Sequence, residues 1–497
     1  MIAKEGDVYT VFNRNLRRYT ACMVAYIAPP DGQSDEPMAV ILSLDWQGDK
    51  PLEVVELPSI KPLYKDFMYW PRELHVLKVS PQVPDNYILV GNRPPLIEPE
   101  SCNTFGFWDE GKDVYYQFCW QQIPLAKRQT FKRAMHSDKV VSINGHEVKE
   151  CSHAIFDSTV PFGSACELNK LPCLSTLHLE HWHDDLIEFL QSNLFIHELT
   201  LLNHGQSSLD LRGCAIRRLL LDMTGLKELY LDERVEFLLF QNKGEDNCLI
   251  HAYDQGSMLS IQFIEKYRPH HELVNLQSLH GIDIKDFDLS SIVCTHENLQ
   301  ELRLWGKPGL IANFAQVREL KKLERFSTYD LFGFNKTDIP SPKTMPKLNW
   351  FWMTSLPQEA AKAAKELWKG AAKQGVSLRI TKARKDEWLA QNVDNPFRSW
   401  DGAEHLSKSA AQKAKSCYQK TRAALIKLAK NNEVDGQEQA LEIVRTYTMV
   451  FNAIKGIETT ERDEIYEALR LILRDLPPGN YLNIDELLEE FELVSDF

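Results

Sequence analysis

The densest group of side chains able to do chemistry is His178-Leu179-Glu180-His181-Trp182-His183-Asp184-Asp185. Imidazoles and carboxylates bind zinc and related metals when three or four converge on one point. On an extended chain His181 and His183 share one side, whereas His178, flanked by Leu177 and Leu179, points away from the core those leucines build. A third ligand would have to come from elsewhere in the chain, and exposed His and Trp serve equally well as contacts for a protein partner. No metal and no cofactor is expected here.

Cys294-Thr295-His296 offers a second possibility, a thiol and an imidazole that strand alternation would place on one face. A nucleophile of this kind also needs an orienting acid and an oxyanion donor, and neither is legible. The chain has no G-x-x-x-x-G-K, G-x-G-x-x-G, H-E-x-x-H or G-x-S-x-G, so phosphate loops, zinc-protease helices and nucleophile elbows are not encoded. The expectation is a protein that is not an enzyme. A carboxylate-based hydrolase, which needs no such motif, would instead require a deep polar pocket holding two carboxylates or a His–acid pair.

What must position these residues is a recurring L-x-x-L-x-L frame, the strand signature of leucine-rich repeats. It runs through Leu174/Leu177/Leu179, Ile196/Leu199/Leu201, Ile216/Leu219/Leu221 and Leu226/Leu229/Leu231, then Leu276/Leu279, Leu299/Leu302/Leu304, Leu323/Phe326 and Leu348/Phe351/Met353. Most steps lie inside the range of about 20–29 residues typical of such repeats. The short step from Leu219 to Leu229, and the stretch from Glu233 to Leu273 with one cryptic copy near Leu249, suggest an insertion or a break in curvature. Each repeat exposes an apolar strand edge that only its neighbours can cover, so stacked copies need one another. The exposed strand positions between core leucines form the candidate partner-binding set: His178, Glu180, Trp182, Glu198, Arg218, Glu228, Tyr230, Glu301, Arg303 and Trp305.

After Pro357-Gln358-Glu359 an alanine-rich helix to about Lys373, stopped by Gly375, and a strand at 376–381 are expected to cap the array. The turn-rich Asp394–Gly402 stretch introduces helices at about 404–430, 436–455, 460–473 and 484–493. Leu441, Val444, Tyr447, Met449 and Phe451 would form the buried face of a small bundle, with Thr460 and Asp463 as a capping-box-like start. Before the array, short β-type runs at 8–12, 19–27, 38–42, 74–79, 86–91 and 114–118, separated by turns such as Pro29-Pro30-Asp31-Gly32, predict a β-rich domain. The fold class is therefore α/β multidomain: a β-rich unit at 1–157, an irregular leucine-rich-repeat solenoid with its cap at 158–384, and an α-helical unit at 385–497.

Within the first segment, Gly6-Asp7-Val8-Tyr9-Thr10-Val11, the Arg17-Arg18-Tyr19 strand start and Tyr87-Ile88-Leu89-Val90-Gly91-Asn92-Arg93-Pro94-Pro95 resemble immunity protein family 26 of bacterial polymorphic toxin systems. That family opens with a glycine–aspartate pair leading an apolar strand and closes its sheet near a valine–glycine before a proline. The resemblance covers roughly the first quarter of the chain. It implies an immunity protein that binds and sterically neutralises a cognate toxin, of Rhs-type or type VI-delivered origin.

Composition agrees with a binding protein: 43% hydrophobic and 26% charged residues over 497 positions lie in the globular range and suffice for several cores. A formal net charge of −13 speaks against nucleic acid as a partner and would steer a toxin with a basic surface. Ten cysteines without a C-x-x-C pair read as reduced thiols, and the absence of a leader or spanning segment reads as cytoplasmic, with no membrane partner. The alternative is a leucine-rich-repeat adaptor or regulatory scaffold that binds another cytosolic protein.

Overall fold

A computed structural model describes residues 1–30, 37–98, 102, 104–241, 248–403, 405–431 and 435–497. The expected turn at Asp31-Gly32 and the helix start at residue 404 lie outside the described residues. The chain is mixed α/β, with a β-rich N-terminal segment, a large parallel sheet and C-terminal helices. Its contacts separate two compact units: Met1–Gly281 with Ser291–Leu302 and Leu320–Leu323, and Ile282–Ser290 with Arg303–Glu319 and Glu324–Phe497.

In the first unit an antiparallel sheet joins Val76–Val79, Met38–Gly48, Arg18–Ala28, Asp7–Asn13 and Ile88–Asn92 in that order. Both faces are covered: Tyr9, Val11, Val24 and Ile41 feed one core, and Val8, Met23, Leu42 and Leu44 the other. Because successive residues alternate between faces, a strand buried on both sides reads as the unbroken run Ala21-Cys22-Met23-Val24-Ala25. The two ends of the sheet's motif sequence lie side by side, with Asp7 opposite Asn92 and Val8 opposite Gly91. Asn92 donates to Asp7 Oδ1 at 3.0 Å, and the Tyr9 hydroxyl and the Lys4 amide donate to Asp7 Oδ2 at 3.1 and 2.9 Å.

One expected strand is a helix. Residues 114–118 lie in Lys112–Gln122, followed by a second helix at Leu125–Ala134. Val114, Tyr115, Gln117 and Trp120 are its buried positions, a spacing that one face of a helix satisfies and strand alternation does not. Gly111 starts it in the left-handed region at φ 75°.

Beyond this, parallel strands at Ala154–Phe156, Thr176–Leu179, Glu198–Leu201, Arg218–Leu221, Phe237–Phe240 and Ser260–Ile264 follow in order. Ile155, Leu177, Leu199, Leu219, Leu238 and Ile261 stand in register along them, all fully or almost fully buried. A second parallel sheet, Ser208–Asp210, Glu228–Tyr230 and Leu249–His251, carries Leu209, Leu229 and Ile250 in its own buried row. From residue 198 to 264 the chain alternates between the two sheets, which accounts for the short Leu219–Leu229 step: the two leucines belong to different sheets. Among the described residues, the stretch after Glu233 supplies strands to both sheets. Leu249 itself is exposed and Ile250 occupies the core position.

In the second unit Arg325–Phe332, Trp350–Pro357 and Ser377–Arg384 pair in parallel. The expected helix and strand form: helix Gln358–Ala372 buries Ala360, Ala361, Ala364 and Trp368, Gly375 sits at φ 105°, and the last strand follows. Phe397 and Trp400 then pack against Phe451, and Phe397 also against Tyr418. The helices Lys408–Asn431, Gly436–Asn452, Thr459–Arg474 and Ile484–Val494 complete this unit. Two details differ from expectation. Met449 is 59% exposed because Val444, Tyr447, Thr448 and Phe451 define the inner stripe. The capping box is made by Glu458 and Glu461, two residues before Thr460 and Asp463. A short helix at Asp386–Asn392 was also not legible. Among the described residues no helix is long and apolar enough to cross a membrane, and the ten cysteines form no disulfide, six of them, Cys173 and Cys214 included, being buried.

Candidate functional site

The hairpin turn 14–17, between the first two strands of the N-terminal sheet, sets one wall of a cleft of about 890 Å³ inside the first unit. The turn is shaped by its own polar groups: Asn13 Oδ1 accepts from the Leu16 amide at 2.8 Å, and Arg17 has φ 55°. Its side chains reach the parallel array. Asn15 Nδ2 donates to Glu236 Oε1 at 2.6 Å, Arg14 donates to Gln300 Oε1 at 3.1 Å, and Arg17 pairs with Glu233 while its guanidinium lies 4.4 Å over the Tyr253 ring.

Helix Lys112–Gln122 forms the second wall and the array the third. Arg217 lies 4.4 Å over the Tyr116 ring, and Arg218 4.7 Å over Phe237 while pairing with Glu198 at 3.3 Å. Arg234 pairs with Asp232 at 2.7 Å. Seven Lys or Arg residues and four Asp or Glu residues line the cleft, so a locally positive site sits in a chain of net charge −13.

Burial sets the protonation of its inner groups. It raises the Glu236 carboxyl above the usual carboxylate range, against the pull of Arg217 and Lys112. It also raises Tyr115 and the Cys119 thiol, and lowers His197, whose depression Arg217 deepens. A Cys119 thiol held protonated by burial is a poor nucleophile. The site is equipped to hold an anion against flat rings.

The structure distributes the sequence-derived candidates over several places. Glu198 and Arg218 are cross-strand neighbours in the cleft wall. His178 is in the same parallel sheet, stacked on Phe156 at 4.1 Å between centroids, with burial lowering its imidazole. Glu180, His181 and Trp182 follow in a bend. There the Glu180 and His181 amides donate to the buried Asp157 carboxylate, and His183 stacks on Phe162. Glu228 and Tyr230 belong to the three-stranded sheet, where Tyr230 stacks on His251 and hydrogen-bonds Glu228 at 3.0 Å. They therefore lie in a different sheet from Glu198 and Arg218. Glu301 is buried, which corrects its reading as an exposed position. Arg303 lies 5.2 Å from the Trp350 ring, and Trp305 is exposed.

Cys294 and His296 also separate. They follow the short helix Ser290–Val293, so strand alternation does not apply. Cys294 is exposed, while His296 is fully buried between the Leu273 carbonyl and the Tyr267 hydroxyl. Among the described residues one trio is close enough to share a metal, His405, Glu458 and Glu461. Glu461 is already engaged there, with His405 at 2.9 Å and the Glu458 amide at 3.0 Å. The residues missed from sequence are Arg14, Arg17, Arg217 and Tyr116. For Arg17 and Arg217 the signal was the chain's two arginine doublets, Arg17-Arg18 and Arg217-Arg218. No protein-family model and no curated protein matches the chain.

Proposed function

We propose that this chain is a binding protein that captures a co-produced toxin and blocks it sterically, an immunity protein whose binding face is carried by a leucine-rich-repeat solenoid. The observation that carries the reading is the row Glu198, Arg218 and Phe237, which stand at one register position on three successive parallel strands. Such a row presents charged and aromatic anchors on a rigid support, the composition favoured at binding hot spots. The in-register buried leucines supply the rigidity. The N-terminal sheet, whose sequence resembles immunity protein family 26, stands beside this row in the same unit, and toxin capture comes from that resemblance.

The test is co-purification with the product of the adjacent gene. A stoichiometric complex that survives size-exclusion chromatography, and that Arg218→Glu weakens at least tenfold without unfolding the chain, supports the proposal. Separate elution of the two proteins at micromolar concentration overturns it.

A further inference from the structure

We infer that the cleft between the 14–17 turn, helix Lys112–Gln122 and the array binds a small phosphorylated ligand with a flat ring, a nucleoside phosphate. Three observations carry this. The first is size: 890 Å³ falls in the range of about 300–1,000 Å³ occupied by small-molecule sites.

The second is uncompensated charge. Among the lining carboxylates, Glu233 is taken by Arg17, Glu198 by Arg218 and Asp232 by Arg234, while Glu236 accepts from Asn15. Arg18 is paired outside the cleft with Asp49. Among the described residues, Arg14, Lys112 and Arg217 have no carboxylate within ion-pair distance. Guanidinium groups match phosphate oxygens through paired N–H donors, and three cations suit a di- or triphosphate better than a single carboxylate. The raised carboxyl of Glu236 adds to the positive balance.

The third is the aromatic lining. Tyr116, Phe237 and Tyr253 each already stack a guanidinium, so flat faces and cations alternate around the space. Bases stack on such rings with little regard to identity. The cleft shares Glu198, Arg218 and Phe237 with the row proposed to bind the toxin, but titration of the chain alone reads nucleotide binding without the toxin, so either reading can fail by itself.

Isothermal titration of the full chain with ADP, ATP and GTP, and with pyrophosphate and adenosine separately, tests it. The expected result is saturable binding of at least one nucleotide, at least tenfold tighter than pyrophosphate or adenosine alone. Arg217→Glu should weaken it tenfold or more. Lys112→Glu, at an exposed position, should weaken it in the same direction and serves if the first variant does not fold. No nucleotide binding at millimolar concentration, pyrophosphate binding as tight as the nucleotides, or wild-type affinity in the charge-reversed variants would overturn it.

Discussion

Replacing Gly111 by Ala should strike the cleft through the backbone of its helical wall. Gly111 precedes Lys112–Gln122 at φ 75°, and a Cβ there would lie 2.1 Å from Thr20 Oγ1. Thr20 cannot retreat easily. It is fully buried in the central strand pair, and its carbonyl accepts from the Thr10 hydroxyl at 2.9 Å. Two penalties add. Left-handed backbone costs an L-residue about 1–2 kcal/mol, and forcing a methyl into a packed site costs about 1–3 kcal/mol. The sum is about 2–5 kcal/mol. Gly145 provides the control, because it has φ 84° in the tight turn between Val140–Ile143 and His146–Lys149, with nothing within 4 Å of an added Cβ. Gly145→Ala should therefore show the backbone part alone, about 1–2 kcal/mol. Urea unfolding of both variants at constant slope separates the two contributions. If Gly111→Ala loses no more stability than Gly145→Ala, the tight fit of the helix start against Thr20 is wrong.

Other perturbations test the remaining parts. Leu229→Ala in the three-stranded sheet should cost about 2–5 kcal/mol, as a fully buried leucine does; a change below about 0.5 kcal/mol, the usual surface value, would make that sheet a surface loop. Arg398→Met leaves the buried Asp330 carboxylate, 2.8 Å from the guanidinium, without its ion-pair partner and should cost about 3–5 kcal/mol, with Asp330→Asn in the same chain restoring part of the loss. His296 is held neutral, its imidazole lowered from 6.5 to about 4 chiefly by burial. Its Nδ1 donates to the Leu273 carbonyl and its Nε2 accepts from Tyr267. Its folded value lies below its unfolded one, so its contribution is complete above pH 6.5 and is lost as pH falls towards 4. At 1.36 kcal/mol per pH unit this amounts to about 3 kcal/mol. Urea midpoints at pH 7.5 and 4.5 should differ less in His296→Gln than in the wild type, and equal differences would contradict the assignment.

Periodic burial was the most legible feature. Leu177, Leu199 and Leu219 announce a parallel array because a strand with one buried row must repeat its leucines, and the four C-terminal helices follow from equally regular stripes. The second sheet was not separated from the first: Leu226/Leu229/Leu231 reads as another copy in the same array, and strands three residues long with a single buried residue each, at Leu209, Leu229 and Ile250, show no pattern of their own. Helix Lys112–Gln122 was hidden because Val114-Tyr115-Tyr116 has the residue types of a strand, and packing against Phe67 and Arg217 outweighs that local preference. The cleft was least legible of all. Arg14, Lys112 and Arg217 lie about 100 residues apart in sequence, and only the folded turn, helix and array bring them to one space.

The claim that this chain captures a toxin is tested most directly by survival. Cells producing the toxin domain encoded beside this gene should grow when the chain is co-produced and should lose that protection with Arg218→Glu, present at wild-type level and folded. Equal killing with and without the wild-type chain, at matched expression, would contradict the account.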